Sequence, residues 1–293
     1  MNINDWVIAT ELANPVTEHA LLLLGRDEET IHPLGTAVFV SPGLAITAKH
    51  VVEESWRVYG TSDVPMERRG GQTANFEMLA VQYPGEKSDA AIRIARGVWA
   101  CLYSDIAAIS LEPADDLAKS YVFTNLPMLS VLPPVKGEKV TAFGYALSSV
   151  VTLADNQLNF SLNPLTAPGT VTEVYPEYRD RGMLSFPCFQ IEAHFIGGMS
   201  GGPIYNANGE LCGLVCSGDN ATPVAYGVTL WPILGVSITH QGFGLTCTGE
   251  YAMSQLSAYG QLYLKDYDKV ANNVEMIEEP FGKGRIRLKS ATP

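Results

Sequence analysis

Short hydrophobic or alternating stretches recur along most of the chain, separated by Gly, Pro, Asn and Asp. The stretches are rich in Val, Ile, Thr and aromatic residues, which favour strands, and the residues between them favour turns. The pattern predicts many short strands arranged as a sandwich or barrel. The predicted strands are residues 19–24, 35–40, 44–48, 56–59, 78–82, 90–94, 106–111, 139–143, 170–174, 189–193, 203–205, 210–216 and 224–230.

A proline-rich stretch divides these strands into two sets. Residues 112–136 contain four prolines and two neighbouring aspartates, a composition typical of a connector. We therefore expect an N-terminal β-barrel over residues 1–115, and a connector with a C-terminal β-barrel over residues 116–240. Residues 241–293 are expected to form an extension, with a helix over 250–264 and a late strand or tail that follows the glycines at 282–284.

Composition excludes several classes of function. The 293 residues are 46% hydrophobic and 17% charged, which is typical of a globular protein. The formal net charge of −12 repels the phosphate backbone of nucleic acids, so no nucleic-acid partner is expected. No run of 18 apolar residues is present, so no membrane helix is expected. The N-terminal residues lack the basic segment followed by an apolar segment that is typical of a secretory signal. The five cysteines are an odd number and do not indicate a disulfide framework. A cytoplasmic location is therefore expected.

Two motifs carry candidate chemistry. In Gly-Met-Ser-Gly-Gly-Pro at 198–203, small residues around Ser200 let a substrate carbonyl approach and let backbone N–H groups converge. A serine hydroxyl needs a base to become a good nucleophile. His50 ends the strand-like sequence Thr-Ala-Lys-His and is the candidate base. If each motif is taken separately, the alternative for residues 198–203 is a glycine-rich turn, and the alternative for His50 is a structural histidine.

These motifs together resemble the chymotrypsin-like (trypsin-like) serine protease family. The resemblance rests on Thr-Ala-x-His ending at His50, Asp-Ile-Ala beginning at Asp105 and Gly-x-Ser-Gly-Gly-Pro around Ser200. Their chain order of His, Asp and Ser also agrees with that family. A weaker similarity lies at 225–229. The resemblance implies an all-β fold of two six-stranded antiparallel β-barrels with the active site between them, followed by the C-terminal extension.

The resemblance also implies a serine endopeptidase that acts through an acyl-enzyme on protein or peptide substrates, without cofactor or metal. Ser200 would attack the scissile carbonyl, His50 would transfer the proton, and Asp105 would orient the imidazole. Backbone N–H groups of Gly198 and Ser200 would form the oxyanion hole. Asp89 also precedes an apolar strand and is the alternative acid, but the residues after Asp105 match the motif better.

The chain departs from the family at two places. Met199 precedes the nucleophile, where digestive proteases carry an aspartate that pairs with a new N-terminus after zymogen cleavage. Methionine cannot form that ion pair, so we expect no activation by this route. There is also no disulfide framework. Cys212 and Cys216 are four residues apart, and we expect buried apolar thiols here rather than a metal or redox site.

The resemblance further predicts a specificity pocket. His194 stands six residues before Ser200, and Cys216, Ser217 and Gly218 would form the pocket wall, with Gly218 leaving room for a side chain. Histidine can donate hydrogen bonds to a carboxylate, so we expect cleavage after Glu, Asp or small polar residues. The alternative is that His194 is a structural loop residue.

Three other functions remain open from the sequence. The chain could be a catalytically silent protease-like module that binds a partner, or an effector that a partner activates. It could also be a structural β-protein whose acidic surface binds other proteins. Residues 241–293 are the candidate regulatory or docking element, because two barrels have no evident need of them.

Overall fold

The computed structural model describes residues 7–8, 16–26, 31–59, 77–83, 90–123, 125–152, 158–219, 221–240, 249–277 and 285–289. The elements of the first half are β1 (Val7–Ile8), α1 (Val16–His19), β2 (Ala20–Arg26), β3 (Ile31–Ser41), β4 (Leu44–Thr47), α2 (Lys49–Tyr59), β5 (Glu77–Gln82), β6 (Ala91–Ala100) and β7 (Ala107–Pro113). Six of the strands form a closed antiparallel barrel in the order β2-β3-β4-β7-β6-β5.

A second barrel follows the connector. The elements up to residue 240 are α3 (Asp116–Ser120), β8 (Leu129–Ser130), β9 (Lys139–Tyr145), β10 (Ser149–Thr152), β11 (Leu158–Ser161), β12 (Pro164–Tyr175), β13 (Cys188–Glu192), β14 (Pro203–Asn206), β15 (Leu211–Gly218), β16 (Val224–Thr229), a 3₁₀ helix (Trp231–Gly235) and β17 (Ser237–His240). The antiparallel strands are ordered β14-β9-β12-β13-β16-β15, and β15 pairs with β14 to close the barrel. The expected fold of two six-stranded antiparallel barrels is thus confirmed.

Strand β2 of the first barrel is buried on both faces. Along β2, Leu21 and Leu23 belong to the barrel interior, whereas Leu22 and Leu24 belong to a cluster with Phe143 and other residues of the second barrel. Successive residues of a strand point to opposite faces, so a continuous apolar run is what a strand between two cores requires. The second barrel therefore packs against the outer face of the first.

The C-terminal extension is part of the core. It contains β18 (Gly249–Ala252), α4 (Met253–Ala258), β19 (Leu264–Lys265), α5 (Tyr267–Ala271), β20 (Val274–Ile277) and β21 (Arg285–Leu288). Strand β18 pairs with β17, and β19 pairs in parallel with β8. Met253, Leu256 and Val270 are buried in a cluster that also contains residues of both barrels. The extension thus contributes to the hydrophobic core, a role that the sequence did not predict; its role as a regulatory or docking element stays a prediction.

Several local features differ from the sequence-based expectations. Residues 56–59 lie in α2 rather than in a strand, and the helix expected over 250–264 spans only Met253–Ala258. The expected late strand is present as β21, whereas the glycines at 282–284 lie outside the described residues. The four cysteines within the described part of the chain are free thiols, and Cys247 lies outside it. No helix among the described residues is long and apolar enough to cross a bilayer.

Candidate active site

The first turn of α2 brings His50 against the loop that precedes β7. The helix begins at Lys49, separated from the end of β4 by one residue, and its first backbone N–H groups have no acceptor inside the helix. Asp105 supplies acceptors for two of them. Lys49 N donates to the Asp105 carbonyl at 3.2 Å, and His50 N donates to Asp105 Oδ1 at 2.9 Å. The helix start and the aspartate loop therefore fix each other's position.

The side chains of His50 and Asp105 also interact directly. Nδ1 of His50 lies 2.8 Å from Oδ2 of Asp105, which is 7% exposed. An ionised carboxylate only accepts hydrogen bonds, so this contact fixes the neutral imidazole with its proton on Nδ1 and leaves Nε2 as the base. Desolvation by burial would lower the pKa of His50. The hydrogen bond and charge of Asp105, with Glu54 and Glu53, outweigh it and raise the pKa above its ordinary 6.5.

A third polar group completes the surroundings of the aspartate. The Sγ of Cys216 lies 3.2 Å from Asp105 Oδ2. The register of β15 against β16 shifts between Val215 and Ser217, and such a bulge re-aims the side chain at its centre. Burial is the main reason that the pKa of Cys216 lies well above its ordinary value, so the group remains a thiol that can donate to the carboxylate.

The nitrogen, oxygen and sulfur atoms of this trio also lie close enough to suggest a metal site. The ligand atoms of His50, Asp105 and Cys216 are all within 4.8 Å of one another. The two hydrogen bonds that converge on Asp105 Oδ2 explain the cluster without an ion.

The turn that carries Ser200 is held against the first barrel by Thr36. Thr36 N donates to the Ser200 carbonyl at 2.8 Å, and Thr36 Oγ1 donates to the Gly198 carbonyl at 2.8 Å. Thr36 Oγ1 also accepts from Tyr145 N at 2.9 Å. Thr36 is fully buried. One residue of the first barrel therefore fixes two carbonyls of the nucleophile turn, one through its backbone N–H and one through its hydroxyl, and that turn belongs to the second barrel.

The backbone around Ser200 leaves two N–H groups available. Among the described residues, neither Gly198 N nor Ser200 N donates to a protein acceptor. Gly198 has a φ of +93°, which favours glycine, and Met199 between them is fully buried. Met199 lies so close to β9 that a Cβ on Gly144 would be 2.6 Å from its Cα. The turn is thus held by packing where digestive proteases use an ion pair.

Ser200 lies near the start of α2, but its hydroxyl is not hydrogen-bonded to the histidine. A Cβ added to Gly35 would lie 2.8 Å from the Ser200 carbonyl oxygen and 3.1 Å from Val51, the residue after His50. Within the described part of the chain, no hydrogen bond joins Ser200 to His50. In free enzymes this bond is often long, and it tightens when substrate binds.

The residues expected to form the specificity pocket lie beside this turn. Ser217 and Gly218 end β15, and a Cβ on Gly218 would lie 2.9 Å from Phe195 Cβ, so the close packing of Phe195 requires a glycine there. His194 is half-buried, and its buried Nδ1 has no partner among the described residues. Cys216, expected in the wall, instead contacts Asp105.

Asp89, the alternative acid, lies outside the described residues, whereas Asp105 makes the contacts with His50.

Two features of the site were not expected from the sequence. The contact of Cys216 with the carboxylate depends on a bulge, and the contacts of Thr36 depend on how the barrels dock. Neither feature has a signal in the local sequence.

Comparison with known proteins gives one family match and several similar folds. The model of the trypsin-like peptidase domain matches residues 35–214, which is more than half of the chain. No curated protein sequence matches the chain. The MamO protease domain of Magnetospirillum magneticum is 19% identical, with 73% of this chain and 93% of that chain covered and a TM-score of 0.49. The active form of the Rv3671c protease of M. tuberculosis is 18% identical, with 82% and 92% covered and a TM-score of 0.48.

Proposed function

Because the chain belongs to the trypsin-like peptidase domain family, we propose that it is a serine endopeptidase with His50, Asp105 and Ser200 as its catalytic triad. The observation that carries the proposal is the 2.8 Å contact of His50 Nδ1 with the buried Asp105 carboxylate, near the Ser200 turn, which meets Val51 around Gly35. Fold alone would not support a mechanism, because one fold hosts many functions.

The proposed reaction proceeds in two stages. Ser200 Oγ bonds to the scissile carbonyl carbon while its proton moves to His50 Nε2, and the N–H groups of Gly198 and Ser200 stabilise the oxyanion. The C–N bond then breaks, and His50 returns the proton to the leaving amine. In the second stage His50 takes a proton from water, the hydroxide attacks the acyl-enzyme, and Ser200 leaves with that proton. Asp105 stabilises the imidazolium in both stages.

We also propose a preference for Glu, Asp or small polar side chains at the residue before the cleaved bond. The supporting observation is the buried Nδ1 of His194, which has no partner among the described residues. An unsatisfied buried ring nitrogen is unfavourable, and a polar substrate side chain that reaches it would restore the hydrogen bond. Digestion of a peptide library tests this preference, and cleavage only after Arg and Lys, or only after large aromatic residues, would refute it.

The test of the peptidase itself compares cleavage across a whole proteome by the wild type, Ser200→Ala and Asp105→Asn. We expect new N-termini with the wild type and none with Ser200→Ala. Asn in place of the triad acid should leave about one part in 10⁴ of the turnover, because it favours the wrong tautomer of the histidine. The alternative, a silent binding module, is suggested by the absence of a hydrogen bond between Ser200 and His50, both of which the structure describes. This alternative predicts no cleavage by any of the three proteins.

A regulatory partner and a cytoplasmic location remain predictions.

A further inference from the structure

A polar cavity of about 330 Å³ opens beside the His50–Asp105 pair, outside the proposed specificity pocket. It lies between the loop that precedes β7, the segment before β13, and strand β21. Lys49 and Ser104 line it, and they are the residues directly before His50 and Asp105. The cavity wall is therefore joined covalently to both members of the catalytic pair.

The charged lining is mostly cationic. Lys49, Arg181 and Arg285 line the cavity, and the only carboxylate among its described lining residues is Glu177. Arg287, which is not a lining residue, donates to Glu177 at 2.8 Å and to Glu275 at 3.0 Å, so Glu177 is ion-paired. An excess of cations at one place is unexpected in a chain with a net charge of −12. The local field therefore favours an anion.

These cations are held in place to different degrees. The Lys49 side chain is 14% exposed, donates to the Cys101 carbonyl at 3.2 Å and lies 3.6 Å from the half-exposed Glu53. The guanidinium of Arg285 lies 3.9 Å above the Tyr178 ring, and stacking of this kind orients it. Arg181 is exposed and has no hydrogen bond or ion pair within the described part of the chain. Its donors are available to a ligand.

The wall also contains an unused hydrogen-bonding group. Ser104 is 4% exposed, and its hydroxyl has no partner among the described residues. Buried polar groups in proteins are nearly always satisfied, so this hydroxyl is an independent sign that a polar ligand completes the wall.

We propose that this cavity binds an acidic side chain of the protein substrate, away from the scissile bond. The proposal rests on the peptidase function proposed above. A substrate side chain is the proposed occupant because Lys49 and Ser104, which line the cavity, are the chain neighbours of His50 and Asp105. Charge-assisted hydrogen bonds from Lys49, Arg181 and Arg285 hold the carboxylate. The site thereby selects protein substrates that carry an acidic segment near the cleaved bond.

Binding to the Ser200→Ala protein tests the site without any catalysis. Hexaglutamate is titrated calorimetrically, with hexaglutamine and inorganic phosphate as comparison ligands. We expect hexaglutamate to bind, hexaglutamine not to bind, and phosphate to bind more weakly than hexaglutamate. Arg181→Ala should weaken hexaglutamate binding about threefold, as for a partly exposed ion pair, and Arg181→Glu should weaken it further. Arg96→Ala is the matched control, because Arg96 is an exposed arginine outside the cavity.

Each outcome decides the proposal. Equal binding by the Arg181 variants and the Arg96 control would overturn it, and so would phosphate binding as tight as that of hexaglutamate, which indicates a small-anion site. In the active protein, the ratio of kcat/KM for an acid-extended peptide to that for its neutral counterpart should fall in Arg181→Glu. Absence of cleavage by the wild type would refute the peptidase function, whereas binding by the Ser200→Ala protein would still report on the cavity.

Discussion

The thiol of Cys216 lies 3.2 Å from Oδ2 of Asp105, the same oxygen that accepts the His50 Nδ1 hydrogen bond at 2.8 Å. With His50 N on the other oxygen, three donors converge on one buried carboxylate. The carboxylate therefore cannot rotate without losing at least one of these bonds, and its orientation sets that of the imidazole.

Cys216→Ala should lower kcat/KM, because it removes a donor from the carboxylate that orients His50. We expect a loss of about tenfold, the order of one hydrogen bond to a charged group, whereas Cys216→Ser should retain most of the activity. Cys212→Ala is the matched control, since that buried thiol donates to the Ile204 carbonyl instead. Equal losses in the two alanine variants would show that the contact with Asp105 has no role in catalysis.

The pH dependence of kcat/KM should report the raised pKa of His50. The proposed base acts only when neutral, so activity should rise with pH through an apparent pKa above 6.5. Glu54 is one of the charges that raise the pKa, and Glu54→Gln should therefore move this acid limb to lower pH. Glu112→Gln, an exposed change in the Arg96 pair, is the control. An unmoved limb in Glu54→Gln would contradict the electrostatic assignment.

Two glycines with similar backbone conformations should differ sharply in their tolerance of a side chain. Gly201 has a φ of +79° and Gly209 a φ of +75°. A Cβ on Gly201 would collide with Thr47 Oγ1 and the Thr36 carbonyl, whereas one on Gly209 would meet nothing within 4 Å. In chemical denaturation, Gly209→Ala should lower the free energy of unfolding by about 1 kcal/mol through strain alone. Gly201→Ala should lower it by about 3 kcal/mol or more. Equal losses would mean that the nucleophile turn is not clamped as described.

The sequence predicted the barrels well because strands buried on both faces leave continuous apolar runs, as in β2. It failed at residues 56–59, where a window of four residues is too short to show a helical period. Val52, Trp56 and Tyr59 have the spacing of a helix face when the longer segment is considered. The hairpin of β10 and β11 was missed altogether.

Local motifs indicated His50, Asp105 and Ser200, because each lies in a distinctive short sequence. The contacts of Thr36 and Cys216 could not be predicted in this way. Thr36 reaches the Gly198 carbonyl 162 positions away, and Cys216 reaches Asp105 only through the irregularity of β15. Such contacts depend on how the barrels dock, which no local pattern encodes.

Stability should fall in mild acid because of His19. This histidine is 2% exposed, and desolvation by burial lowers its pKa below the ordinary 6.5. Below pH 6.5 the unfolded chain therefore binds a proton that the folded chain resists, so the free energy of unfolding decreases. Denaturation at several pH values, with the Ser200→Ala background to prevent autolysis, should show a shallower decrease for His19→Gln. A slope for His19→Gln equal to that of the unchanged background would contradict the assignment to His19.

The most direct test of the proposed triad is covalent labelling with a fluorophosphonate. The Ser200 hydroxyl would displace fluoride from phosphorus while His50 takes the proton, so labelling requires an activated serine. The account predicts that mass spectrometry of the wild type finds the phosphonyl group on Ser200. It also predicts no label in Ser200→Ala and a greatly slowed reaction in His50→Ala. A correctly folded wild type that remains unlabelled, or that is labelled equally in His50→Ala, would contradict it.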